Sequence, residues 1–324
     1  MNRVLKSAFA AILLLASSGV VLAQQFPVTI AHAFGETTIP AKPQRVVTWG
    51  WAAQDAVIAL GEVPVGIPHF SYGGDENGAL AWTREAVTAL GADFPTILPD
   101  TGREPPIEAV AALQPDLILA VYSGITADQY KALSGIAPVV AFPETAWDTS
   151  WQDTITITGA AIGKKTEAEA LVTDLEQFIV DEAARYPELA GTTFATFTEW
   201  NGEINVYGDL DSRVQFLVNA GLVSAPSVAE LARGEDLYFM LSFENFDKLT
   251  ADVLVTYFET PEAEAAFSAN PVLALHPQVE AGAVAHVVGP ELINSVSPPS
   301  ALSLKWGYPK YIQLIADAAR ASGK

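Results

Sequence analysis

The chain has 324 residues, no cysteine, and 38 acidic against 17 basic side chains, for a formal charge of −21 and a pI near 4.4. Such a surface repels nucleic acid and anionic lipid. Without cysteine there is no thiol nucleophile, no disulfide and no residue to carry a lipid at a signal cleavage site, so the fold must rest on a core large enough for two domains.

The first residues have the pattern of a secretory signal. Arg3 and Lys6 form a basic start, Phe9 to Leu15 an apolar segment, and Val21-Leu22-Ala23 a small-residue cleavage site before Gln24. Residues 1–23 are therefore expected to be removed, which takes the charge from −21 to −23. No later stretch is apolar enough to span a bilayer, so the expectation is a protein exported into a periplasm.

Val28 to Ile30 and Thr37 to Ile39, around Phe34-Gly35-Glu36, predict a hairpin. Next come a strand at Val46 to Thr48, a helix from about Ala52 to Leu60, a strand near Val65 to Ile67 and a helix near Arg84 to Leu90. Pro105-Pro106-Ile107-Glu108 then opens a short amphipathic helix, with Glu108 facing the positive helix end and Ile107, Val110 and Leu113 supplying the apolar stripe. Gln114-Pro115-Asp116 turns it into the run Leu117 to Ala120, which reads as a strand covered on both faces. A helix at Ala127 to Leu133 and a strand at Pro138 to Ala141 complete the first unit.

From Asp148 to Arg185 one long helix is expected, with Leu171, Leu175, Phe178 and Glu182 on a single face and Tyr186-Pro187 ending it. Alternation then restarts: strands at Thr193 to Thr198 and Ile204 to Tyr207, and a helix at Ser212 to Ala220. A second acid-then-strand unit runs from Glu244 to Val253–Thr256, and a strand at Ala283 to Val288 and a helix at Leu302 to Arg320 close the chain. The pattern predicts an α/β protein of two lobes, each with a central, mostly parallel sheet, bridged by one long helix. The divisions expected are a signal peptide (1–23), an N-terminal lobe (24–147), the bridging helix (148–187) and a C-terminal lobe (188–324).

Enzyme signatures are missing: there is no H-E-x-x-H, G-x-S-x-G, Walker loop or G-x-G-x-x-G. His32, His69, His276 and His286 are well separated, so a directly ligated zinc or manganese would need His69, His276 and His286 gathered with a carboxylate from distant loops. Aromatic residues are better placed, at the ends of predicted strands where open α/β sheets bind ligands: Trp49 and Trp51, Tyr122, Trp200, and Tyr257 beside Phe258. Arg84, Arg103 and Arg213 sit near the same loops, and guanidinium groups suit an anionic, oxygen-rich ligand. Arg213 lies at a helix amino end, against the dipole, so helix stability does not explain it.

The stretch Glu108 to Ile118, with its E-x-hydrophobic-x-x-L-x-P-D-L-I wording, resembles periplasmic substrate-binding proteins for ferric siderophores and cobalamin. The opening Gly35-Glu36 to Val47, Ala59-Leu60-Gly61 with Pro64-Val65-Gly66, the long helix, and Glu244 before Val253 extend the likeness over nearly the whole mature chain. The resemblance implies a rigid bilobed receptor of an ABC importer, without catalytic residues, cofactor or resident metal, that captures an iron–siderophore complex between its lobes and acts as a monomer. It further implies that Glu108 and Glu244 dock arginines of the inner-membrane permease. Trp49, Trp51, Arg84, Arg103, Tyr122, Trp200, Arg213 and Tyr257 are the candidate ligand contacts, with Arg84 and Arg213 meeting the ligand from opposite lobes. Aromatics with arginines favour a catecholate or mixed-ligand ferric complex; cobalamin, haem, a bare metal ion and an exported hydrolase are the alternatives.

Overall fold

The computed structural model describes residues 25–324 apart from residues 201, 233, 235 and 236; the expected leader at 1–23 lies outside the described residues. An antiparallel hairpin of β1 (Val28–His32) and β2 (Gly35–Ile39) leads in. The first lobe then alternates through β3 (Val46–Thr48), α1 (Ala53–Ala59), β4 (Gly66–Ile67), α2 (Ala81–Ala89), β5 (Thr96–Ile97), α3 (Ile107–Ala112), β6 (Leu117–Ala120), α4 (Ala127–Ser134) and β7 (Val139–Ala141). Its five strands are all parallel, in the order β5-β4-β3-β6-β7. Every residue of β3, β6 and β7 is buried, which is why these segments read as unbroken apolar runs with no alternation.

The single helix expected from Asp148 to Arg185 is two: α5 (Trp151–Ala161) and α6 (Lys165–Ala184). Ser150 starts α5 by accepting the Asp153 backbone N–H on its hydroxyl. Gly163, at φ 79°, stops it, and the chain doubles back so that α5 lies against α6. Gly159 permits this approach, because a Cβ there would stand 2.2 Å from the Ala168 methyl. On α6 the residues that are buried are Ala168, Leu175, Ile179 and Ala183, with Leu171 and Phe178 half-buried beside them.

The second lobe comprises β8 (Thr193–Trp200), β9 (Glu203–Tyr207), α7 (Ser212–Asn219), β10 (Val223–Ser224), α8 (Pro226–Ala232), β11 (Tyr238–Ser242), β12 (Val253–Phe258), α9 (Pro261–Ser268), α10 (Pro277–Glu280), β13 (Val284–Val288), α11 (Pro290–Val296) and α12 (Ser303–Ala321). The sheet runs β11-β9-β8-β12-β13, with β10 alongside β8; β10, β8, β12 and β13 pair in parallel, and β9 is antiparallel to both its neighbours, β8 and β11. Glu244 lies on a 3-10 helix, Phe243–Lys248, where Glu108 lies on an α-helix.

The two acid-then-strand units are equivalent in their bonding as well as their order. Asp116, just before β6, accepts the backbone N–H groups of Gln44 and Arg45 at 2.8 Å each, at the entry to β3. Asp252, just before β12, accepts the Thr193 backbone N–H at 2.8 Å, at the start of β8. In each lobe the aspartate thus satisfies orphan donors where the neighbouring strand begins, which sets the register of the central pair.

One apolar cluster runs through both lobes. It links Val46, Leu117 and Leu119 through Ile155, Leu175 and Ile179 to Phe194, Val253, Tyr308 and Ile312. α12 returns from the second lobe to pack on α6, and Trp306 reaches α2, its ring 5.4 Å from that of Trp82 and its Nε1 3.3 Å from Glu85 Oε1. Beside it Asp55, on α1 and 1% exposed, accepts Trp82 Nε1–H and Thr83 Oγ1–H at 2.7 Å each, together with the hydroxyl of Ser300 from the far lobe. Burial pushes the Asp55 carboxyl above the ordinary range even though these donors pull the other way. The lobes are therefore joined by a shared core and by a buried polar tie.

Candidate ligand-binding cleft

In the first sheet the strand order reverses between β3 and β6, and a crevice opens where a reversal leaves the strand ends diverging. The residues leaving those two strands stay bonded across it: Trp49 N–H to the Leu119 carbonyl at 2.8 Å and Trp51 N–H to the Tyr122 carbonyl at 2.9 Å. Gly50 lies between them at φ 90°, and a Cβ there would stand 2.3 Å from the Tyr122 carbonyl oxygen, so the close approach requires glycine. Two adjoining cavities open from this point. One, of about 510 Å³, is lined by Trp49, Trp51, His69, Phe70, Tyr72, Arg103 and Tyr122, among others. The other, of about 580 Å³, lies between the lobes, with Ala52, Asp148 and Trp151 on one side and Leu210, Asp211, Phe216 and Leu237 on the other. Tyr122, Trp147 and Pro298 border both. Each is of the size that holds a compact small molecule.

Trp147 carries the clearest mark of constraint. It has a left-handed backbone (φ 62°), is 40% exposed, and sets its ring edge-on to Tyr122 at 5.9 Å. Ala52, also bordering the cleft, has φ 64°. Non-glycine residues in this region cost about 1–3 kcal/mol each and are kept only where surrounding structure imposes them. Trp51 packs edge-on to Phe70 at 5.3 Å. On the far lobe Arg213 is clamped by Asp211 through Nε–Oδ1 (2.7 Å) and Nη2–Oδ2 (2.6 Å), and its guanidinium carbon lies 3.5 Å from the centre of the Tyr207 ring. Burial opposes the charge on Arg213, yet Asp211 with Tyr207 and Tyr257 holds its pKa above the ordinary value. Burial, then the neighbouring Glu259 carboxylate, pushes the Tyr72 phenol up; burial and then Asp148 do the same for Tyr122. Both stay neutral hydroxyls that donate and accept hydrogen bonds.

Of the eight residues singled out from the sequence, Trp49, Trp51, Arg103 and Tyr122 come together as lining. Arg213 stands in the opposite lobe, clamped by Asp211, which borders the cavity that Tyr122 also lines. Arg84 does not face it. Arg84 binds Asp75 at 2.5 Å, lies over the Phe94 ring, and borders a separate groove of about 820 Å³ with Trp306 and Lys310. Tyr257 lies within β12, buried, with its hydroxyl 3.0 Å from that of Tyr311. Trp200 is the last residue of β8, opposite Glu203 in the hairpin to β9; its side chain lies outside the described residues. The three histidines do not gather around one ion. His276 is buried against Phe246, His286 binds Glu264 at 2.8 Å, and His69 lies 3.6 Å from Asp100. Among the described residues no group of three or more His, Asp or Glu is placed to hold a metal. Glu108 and Glu244 are both exposed, and no hydrogen bond or ion pair engages either carboxylate among the described residues. Sequence reasoning missed Trp147, Tyr72, Tyr207 and Asp211. The Ser150-x-x-Asp153 cap was the available signal that residues 145–149 form a loop, leaving Trp147 free to face the cleft.

Two α/β lobes joined by a shared core, with an aromatic cavity at a strand-end crevice between them, define a bilobed solute-binding protein. The chain belongs to the periplasmic binding protein family, whose model matches residues 46–288. It is 30% identical over 182 residues to the Fe(3+) dicitrate-binding periplasmic protein FecB of Escherichia coli, covering 55% of this chain and 57% of that one. It is 27% identical over 181 residues to a Bacillus subtilis protein named "Probable siderophore-binding lipoprotein YfiY", with 55% and 52% covered. The match thus spans about half the length of these curated relatives. Among solved structures, Streptococcus pneumoniae PiaA in complex with ferrichrome superposes with a TM-score of 0.77 at 31% identity, over 90% of this chain and 99% of that one. No helix among the described residues is long and apolar enough to cross a membrane.

Proposed function

We propose that this chain is the periplasmic receptor of an ABC importer, capturing a ferric siderophore in the interlobe cleft and passing it to an inner-membrane permease. The observation that carries this reading is the crevice itself: Trp51, Tyr122 and Trp147 stand around one preformed cavity, and the adjoining one, which Tyr122 and Trp147 also border, is closed from the other lobe by Asp211 and Phe216. The ferrichrome complex of the pneumococcal relative supplies the class of cargo. The aromatic faces cover the organic periphery of the complex, while Arg103 and Tyr122 offer hydrogen bonds to the oxygens around the iron. The iron arrives already chelated, so the protein needs no metal ligands, and neutral phenols at Tyr72 and Tyr122 suit that role. The shared core and the Asp55–Ser300 tie keep the lobes fixed, so capture relies on a preformed site.

Delivery is assigned to Glu108 and Glu244, exposed carboxylates on the matching units of the two lobes. Arginines of the permease would meet both at once and so fix orientation. In the same reading residues 1–23 are a removed signal, 24–147 and 188–324 are the lobes, 148–187 the connection, and the receptor works as a monomer without catalysis. The test is a titration of tryptophan emission with ferrichrome, haem, cobalamin, zinc and manganese. Saturable quenching by the ferric siderophore alone is expected; a response to zinc or manganese in the absence of chelator would overturn it.

A further inference from the structure

The relatives bind iron complexes of opposite electrical character. Ferrichrome is a trishydroxamate, in which three singly charged ligands cancel Fe(III), whereas ferric dicitrate and triscatecholates carry net negative charge. The charges lining this cleft discriminate between them. In the cavity between the lobes the charged lining residues among the described residues are Asp148 and Asp211, and none of the described Lys or Arg residues lines it. In the adjoining cavity Arg103 is the one Lys or Arg of the lining among the described residues, and His69 there is shadowed by Asp100 at 3.6 Å. Arg213 is already matched, with Nε and Nη2 both on Asp211 and its plane over Tyr207. Glu259 stands beside Tyr72 at the same interface. The residues that would meet a trianion therefore present no surplus of positive charge, and taking such a charge out of water without paired cations is strongly unfavourable. The remaining lining is suited to an uncharged body: Trp51, Trp147, Phe216 and Pro298, with the exposed Leu210 (67%) and Leu237 (54%) at the rim.

We infer that the cleft selects an electrically neutral ferric chelate of the trishydroxamate class and rejects polyanionic ferric catecholates and citrates. This inference departs from the catecholate or mixed-ligand preference that aromatics with arginines suggest, since Arg84 faces another groove and Arg213 is neutralised by its own neighbour. The inference rests on the siderophore-receptor reading above and narrows it. Asp211 is the selecting group, holding Arg213 so that its charge is not offered to the ligand.

The experiment compares quenching titrations of the purified protein with ferrichrome, a ferric triscatecholate and ferric citrate at one ionic strength. Ferrichrome is expected to bind at least 100-fold tighter than either anion. The variant Asp211→Asn keeps an acceptor for the Arg213 backbone N–H that caps α7, now bonded at 2.9 Å, but removes the charge. In it the ratio of affinities should move tenfold or more toward the anionic complexes. Asp148→Asn, at an exposed position of the same cavity, should move it the same way by less and guards against a folding defect in the first variant. A triscatecholate or citrate complex that binds as tightly as ferrichrome, or a ratio unmoved in both variants, overturns this inference while leaving the receptor reading intact. If none of the three complexes binds, the receptor reading falls and this inference falls with it.

Discussion

Removing the Asp55 carboxylate should loosen the protein far more than any surface change. Asp55→Ala would strip the acceptor from Trp82 Nε1–H, Thr83 Oγ1–H and the Ser300 hydroxyl in a place that is 1% exposed. A buried donor left without a partner costs about 1–3 kcal/mol. The two hydroxyls can rotate toward other acceptors but the indole N–H cannot, and the buried carboxylate gives back its own desolvation cost. A net loss of about 3–5 kcal/mol follows. At about 2–4 °C per kcal/mol for a chain of this order of size, melting should drop by roughly 6–20 °C. Asp55→Asn is the diagnostic companion. Burial raises the Asp55 pKa in the folded state, so the native protein holds this proton more tightly than the unfolded chain. Its stabilising contribution is therefore complete below the ordinary carboxyl value of 3.8 and is lost as pH rises through the raised folded value. The asparagine variant lacks that titration, so its stability relative to wild type should improve from pH 4 to pH 8 in urea unfolding. A deficit that grows with pH would refute the reasoning, by showing that the three donors stabilise the anion more than burial penalises it.

Other outcomes follow from the same geometry. Trp147→Ala should weaken ferrichrome binding by about 10–100-fold in a quenching or calorimetric titration, since an aromatic anchor bordering both cavities is lost. Gly50→Ala should cost about 2–4 kcal/mol in urea unfolding, because its Cβ meets the Tyr122 backbone at 2.3 Å with φ 90°, and should reduce affinity as Trp51 is pushed away from Tyr122. Glu108→Ala with Glu244→Ala should leave the dissociation constant for ferrichrome unchanged and impair iron uptake in a strain lacking other receptors, the double change more than either single one. Equal uptake would leave Glu108 only its favourable place in the first turn of α3.

The parts of this fold that were legible in the sequence are those where one physical rule acts locally. Leu117 to Ala120 is apolar without alternation because helices cover both faces, and it is a strand over those four residues. Asp116 reads from sequence as a turn residue, and its bonds to the neighbouring strand, like those of Asp252, are visible only in the assembled sheets. The 148–185 stretch reads as one helix although Thr154 to Ile157 and Gly159 weaken helix in its first third; Gly159 and Gly163 matter through contact with Ala168 and a reversed backbone, neither of which spacing reveals. The cleft followed the same division. Strand-end aromatics Trp49, Trp51 and Tyr122 were found because the position of a ligand site in an open sheet is a rule of topology. The electrical state of Arg213 was not legible, since two acids, Asp209 and Asp211, precede it and only the structure shows Asp211 clamping the guanidinium. Arg84, equally near a predicted cleft in sequence, is held by Asp75 in another groove.

The claim on which the account turns is that iron is held between the lobes. Crystals of the protein grown with ferrichrome, measured at the iron absorption edge, locate the metal directly by its anomalous signal. The account predicts one strong peak in the cavity space bordered by Tyr122, Trp147 and Pro298. A peak in the groove beside Arg84 and Lys310, or direct bonding of the iron to a protein side chain, would contradict it.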